Sequence, residues 1–187
     1  GYRTEPAGPP PAEASALAPA LAAEGVKVVK PDGGALCSFW FAREVGKEGE
    51  PEQNATWGLA HGTFLGVVKV ESRWSDRRGQ PIRPGVYTLR LSFFPMNGDH
   101  QGVAPQRDFA ILSPVEIDKD ASAKPGFDAL MDMSRKASRT PHPLVLSLWK
   151  ESSAGAGITA EGESDQVLHT TIGGTPVALI VYGRSDH

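Results

Sequence analysis

The chain has 187 residues, long enough for one ordinary domain with a buried core. Its hydrophobic share of 40%, charged share of 22% and formal net charge of −3 are those of a globular protein. They exclude the basic footprint that nucleic acid or an anionic membrane surface would need. The basic clusters "RWSDRR" (Arg73–Arg78) and "SRKASR" (Ser134–Arg139) are short, have acids nearby, and suit solvated faces. No apolar run reaches the length of a membrane-spanning helix.

The first eleven residues, "GYRTEPAGPPP", predict an extended Pro-rich tail or tether ahead of a single domain over 12–187. Its composition suits the mature part of an exported bacterial protein, periplasmic or extracellular, held through that segment. "AEASALAPALAAEG" (Ala12–Gly25) has Leu17 and Leu21 four apart, but Pro19 limits it to one short helix or two turns. The period then changes to two. "GVKVVK", the turn "PDGG" and "ALCSFWF" predict a hairpin. Ala35, Cys37, Phe39 and Phe41 fall on one face, and Leu36, Ser38 and Trp40 on the other. Cys37, the single cysteine, excludes an intrachain disulfide and a cysteine-based metal cluster, and suits a small buried hydrophobe. "REVGKEGEPEQNAT" (Arg43–Thr56) predicts a charged, exposed loop.

"TFLGVVKVES" (Thr63–Ser72) predicts a strand and "DRRGQPIRPG" a turn-rich connector. In "VYTLRLSFF" Tyr87, Leu89, Leu91 and Phe93 face inward, while Thr88, Arg90 and Ser92 face out. "RDFAILSPV" is a further strand. In "GFDALMDMSRKASR" Phe127, Leu130, Met131 and Ser134 follow the spacing of one helix face. Asp128 near the start and Arg135, Lys136 and Arg139 near the end suit the helix dipole, and Pro141 stops it. This places a helix near 126–139. "PLVLSLWK" predicts a strand, "ESSAGAGITAEGESDQ" a flexible loop, and "VLHTTIGGTPVALIVYG" a closing hairpin turning at Gly173-Gly174. Its last strand is apolar on both faces and therefore central. Many short strands with no β-α-β alternation predict a mainly β domain. The expected form is an antiparallel sandwich, jelly-roll-like, or a partly closed barrel.

The chemistry-bearing stretch is "RPGVYTLRLSFFPMNGDHQGVAPQRDFAIL" (Arg83–Leu112), where a strand breaks into a loop carrying Asp99, His100, Arg107 and Asp108. Gly98 and Gly102 permit tight bends. Asn97 and Asp99 suit Asx-turns, so turn chemistry accounts for every residue there. The functional alternative is a divalent metal or acid/base site. Asp99, His100 and Asp108 would be joined by His142, which is held between two prolines in "TPHPL", and His61 in "LAHGTF" is a further candidate. Asn97, Asp99 and Asp108 with carbonyls would suit calcium. That set would serve a metal-assisted hydrolase, but no pair has a diagnostic ligand spacing. His169 in "VLHTTI" suits a satisfied strand histidine. "GAGITA" (Gly155–Ala160) has the letters of a dinucleotide fingerprint without the helix that would follow one. Trp40, Trp57 and Trp74 pack in the core or, if exposed, stack on sugar rings. Trp57 and Trp74 are the stacking candidates, and Trp57 the better exposed.

"GQPIRPGVYTLRL", "GDHQGVAPQRDFAIL" and "SRKASRTPHPLVL" together resemble a family of uncharacterised exported proteins from environmental bacteria such as acidobacteria and planctomycetes. The resemblance covers most of the chain after the Pro-rich segment. It implies export and carries no activity and no catalytic residues. The expected role is a non-catalytic binding or scaffold module for a glycan, peptide or partner protein, without a cofactor. The metal-assisted hydrolase is its rival.

Overall fold

Among the described residues twelve strands form, ten of them paired in one antiparallel sheet. A computed structural model describes residues 1–94 and 106–184. The strands are β1 (Arg3–Pro6), β2 (Val26–Val29), β3 (Ala35–Phe41), β4 (Phe64–Val70), β5 (Trp74–Ser75), β6 (Pro81–Ile82), β7 (Gly85–Phe93), β8 (Asp108–Pro114), β9 (Leu144–Lys150), β10 (Gly157–Glu161), β11 (Asp165–Ile172) and β12 (Thr175–Tyr182). Among the described residues one α-helix, α1 (Phe127–Ser138), lies between β8 and β9. Ten strands run in the order β1-β2-β3-β4-β7-β8-β9-β12-β11-β10, and β5 and β6 pair separately. The sheet curls until its edge strands, β1 and β10, approach without pairing. The fold is mainly β, a barrel-like antiparallel sheet with one helix.

The strand registers define one continuous inward face. Phe39 lies opposite Val68, Val68 opposite Tyr87, Leu89 opposite Leu112, Leu112 opposite Leu144, and Leu148 opposite Leu179, which meets Leu168. This layer is the main core. Gly66 keeps it closed at a register shift in β4. Its φ is 145°, and a Cβ there would strike the Trp40 carbonyl on β3. The two-residue turn Gly173-Gly174 has φ of 57° and 83°, the pair of positive values that a tight hairpin between β11 and β12 requires. β12 lies between β9 and β11, as its two apolar faces demand.

The outward face is covered in three places, and each cover revises an expectation. The Pro-rich start is no free tether. Arg3–Pro6 pairs with β2, and the Gly8 carbonyl accepts the Trp40 indole N–H at 2.9 Å. Ala12–Ala14 and Ala18–Ala20 are short 3-10 turns that bury Leu17 and Leu21. The run therefore wraps the outer side of β3. Thr88, Arg90 and Ser92 do not face solvent: all three are buried, and the segment from Val115 to Gly126, a strap over β7, holds Thr88 and Arg90. Helix α1 covers β8 and β9, where Leu130 and Met131 meet Phe109, Ile111 and Val145. Phe127, expected on the buried helix face, is 44% exposed, and its ring rests against His61. The stretch from 151 to 166, expected as a flexible loop, contains β10, which pairs along its whole length with β11.

Arg90 is the most demanding residue in this cover. All five of its N–H groups are satisfied. Nε and Nη2 donate to the two oxygens of Asp118 at 2.8 Å each. Nη2 also donates to the Asp120 carbonyl, and Nη1 to those of Gly62 and Ala123. The Thr88 hydroxyl donates to Asp118 as well. A buried guanidinium is tolerated only when paired and fully hydrogen-bonded, and the strap together with the Gly62 carbonyl supplies both conditions.

Candidate functional site

The barrel has two ends, closed by different tryptophans. At one end Asp108 sits on the inward face at the start of β8, fully buried. Its carboxylate accepts the backbone N–H of Thr56 at 2.9 Å and of Trp57 at 3.0 Å. Burial pushes the carboxyl group above the usual aspartate pKa, and these hydrogen bonds oppose the shift without cancelling it. Arg107 beside it donates to the carbonyls of Phe94 and Gln53, and its backbone N–H reaches Asn54. Arg107 and Asp108 therefore tie the charged 43–57 segment across this end and seat Trp57 in the core with 0% exposure. These contacts brace the loop.

His142 lies at the other end. β8 and β9 run antiparallel with Phe109 opposite Ser147 and Leu112 opposite Leu144. Continuing that register sets Asp108 beside Leu148 and His142 beside Pro114. Six residues of strand separate them, about 20 Å. Asp108 and His142 do not share a site. Asn97, Asp99 and His100 lie outside the described residues. The exposed His142 offers its backbone to Ser138 and Thr140. His61 packs on Phe127, 5.6 Å between ring centres, and desolvation lowers its pKa. Among the described residues no three His, Cys, Asp or Glu side chains are grouped to hold a metal.

The stacking expectation for the tryptophans also changes. Trp57 and Trp74 are both core residues, at 0% and 3% exposure, so neither ring projects from the surface. Trp74 packs edge-on to Phe39 and donates its indole N–H to the Val181 carbonyl at 2.7 Å. Large aromatics reward burial more than any exposed contact replaces. Cys37 is buried with its thiol pKa pushed well up, chiefly by desolvation, and behaves as a small hydrophobe.

Around Trp74 the fold leaves a cavity of about 450 Å³. The β5–β6 hairpin forms one wall with Trp74, Ser75, Gly79 and Pro81. Leu36 and Lys30 come from the β2–β3 hairpin, and Tyr182 from the end of β12. The hairpin is fixed from three sides. Asp76 accepts the backbone N–H groups of Arg78 and Gln80, Arg77 pairs with Asp165 at 3.3 Å, and the Gln80 amide donates to the Pro143 carbonyl. Tyr2 stacks on Tyr182 with ring centres 5.5 Å apart. Tyr182 keeps 42% of its surface exposed, so the pair presents an aromatic face at the mouth. Sequence reasoning found Trp74 and missed the rest, because the lining is gathered from residue 2 to residue 182.

A second cluster lies on the outer face of β11. His169 Nδ1 contacts Glu151 at 2.7 Å, and Nε2 contacts Thr159 at 2.8 Å and Glu161 at 3.1 Å. The carboxylate–imidazole–hydroxyl order is that of a nucleophilic triad. Here Thr159 is also within 2.8 Å of Glu161, so the hydroxyl has a carboxylate acceptor besides the imidazole. The hydrogen bond to Glu151 is the largest influence raising the His169 pKa, with Glu161 adding to it and burial opposing. The cluster works as a cross-strand ionic clasp joining the end of β9, β10 and β11.

No family model, curated protein or solved structure matches this chain. No helix among the described residues is long and apolar enough to cross a membrane.

Proposed function

We propose that the chain is an exported, non-catalytic binding module whose ligand seats in the cavity beside Trp74. Export follows the resemblance to exported bacterial proteins. The binding reading is carried by one observation. About 450 Å³ of concave space is lined by Trp74, Tyr2 and Tyr182 on a wall held by hydrogen bonds. That volume falls within the range of small-molecule sites, and an aromatic wall with few polar groups is their common character. Of the occupants expected from sequence, a sugar or other single ring suits a pocket of this size.

The test is a screen of single-ring compounds, sugars included, by ligand-observed NMR against the wild type and Tyr182→Ala. Compounds that bind the wild type and lose contact with the variant support the seat. Compounds that bind both equally place the ligand elsewhere and refute it.

A further inference from the structure

We propose that the cavity takes a ring compound bearing a carboxylate, with Arg73 as the counter-ion. This rests on the binding reading above and names the ligand class of the same site.

The walls and the rim differ in chemistry. Trp74 has committed its indole N–H to Val181 and, almost wholly buried, forms only the floor of the cavity. The apolar surface a ring can reach is that of Pro81 and the Tyr2–Tyr182 pair. A flat ring can lie against it by stacking and dispersion. The charged groups of the lining are both cationic, Lys30 and Arg73. Lys30 has a loose partner, Asp32, at 3.9 Å, and that carboxylate is 72% exposed. Arg73 is exposed, and no described residue forms a hydrogen bond or ion pair with its guanidinium. The next residue along the chain, Trp74, is anchored in the core, so the backbone that carries Arg73 is fixed at the rim. A planar guanidinium whose N–H groups no described residue takes, beside an aromatic wall, matches a carboxylate attached to a ring, because the fork donates to two oxygens at once.

An aromatic acid and a sugar acid share this chemistry. Two matched pairs separate them: benzoate against benzamide, and glucuronate against glucose. Dissociation constants are measured by titration calorimetry or NMR at low salt, with the wild type, Arg73→Gln and Tyr182→Ala. The expected result is that one acid binds at least about fivefold more tightly than its neutral analogue, the scale of a solvent-exposed charge contact. Arg73→Gln should abolish that preference and leave the neutral analogue unchanged. Which pair responds identifies the aromatic or the sugar source. Equal binding of acid and neutral analogue, or a preference that survives Arg73→Gln, overturns the carboxylate inference and leaves the seat intact. If no member of either pair shows binding that Tyr182→Ala weakens, the seat itself fails and the inference falls with it.

Discussion

Replacing Asp118 with Asn tests the cover over β7. The substitution keeps the shape of the side chain and removes its charge. In the wild type Asp118 receives three hydrogen bonds, from Arg90 Nε, Arg90 Nη2 and the Thr88 hydroxyl. The side chains of Arg90 and Asp118 are 0% and 4% exposed, so water cannot replace what is lost. An asparagine has one acceptor oxygen and turns an NH₂ group toward the guanidinium. The result is an uncompensated buried cation, and breaking such a pair costs about 3–5 kcal/mol. For a domain of this size that lowers the melting temperature by roughly 10 °C. Urea unfolding followed by circular dichroism measures it, with an unchanged m-value showing that the same surface unfolds. Arg90→Met with Asp118→Leu should cost less than Asp118→Asn alone. The double change removes both charges and leaves mainly carbonyl oxygens short of donors, which is better tolerated than orphaned N–H groups. A single variant within about 1 kcal/mol of wild type would show that the strap does not hold Arg90 as described.

Three further outcomes are expected. Asp108→Ala leaves the N–H groups of Thr56 and Trp57 without an acceptor, and should cost about 2–4 kcal/mol with faster amide exchange at both residues. Because burial raises the Asp108 pKa in the folded chain, wild-type stability should fall as pH rises from the ordinary aspartate value of about 3.9 to the raised one, and Asp108→Asn should remove that slope. The His169 clasp has the opposite partner chemistry. Its folded pKa is raised, so its contribution is complete below the ordinary histidine value of about 6.5 and is lost as pH rises through the folded one. An NMR titration in which His169 protonates at or below that ordinary value would contradict the clasp, and His169→Gln should flatten the pH response of amide exchange in β10. Cys37 should be inert to an aromatic disulfide reagent in the native protein and react as one thiol after unfolding, since it is buried and its thiol pKa is high.

What the sequence discloses depends on how far apart the partners lie. The inward residues of β7 and the buried face of α1 around Leu130 and Met131 are set by local periodicity, and both are legible. Arg90 is not. Alternation marks it as outward, and the outward direction is correct, but the strap that covers it begins more than twenty residues later. β1 and β10 escape notice for a related reason. They are short edge strands with polar, Gly- or Pro-bearing sequences, and their order comes from Val26–Val29 and from β11. Asp108 opens β8, yet its partners lie 51 and 52 positions earlier, out of reach of any local pattern. The separation of Asp108 from His142 follows from the β8–β9 register, which no spacing in the sequence reports.

The stacked rings of Tyr2 and Tyr182 have a consequence for folding. Tyr2 and Tyr182 lie far apart along the chain, so folding completes the cavity mouth only when β12 joins the sheet. Until then Lys30, Arg73 and Trp74 have no opposing wall, and the loop to be closed runs from β1 to β12. Closure of this kind falls late in the folding of β-rich topologies, after the local hairpins have formed. A ligand of the cavity would thus recognise only finished molecules, and its capture would count completed barrels in a refolding experiment without any other probe.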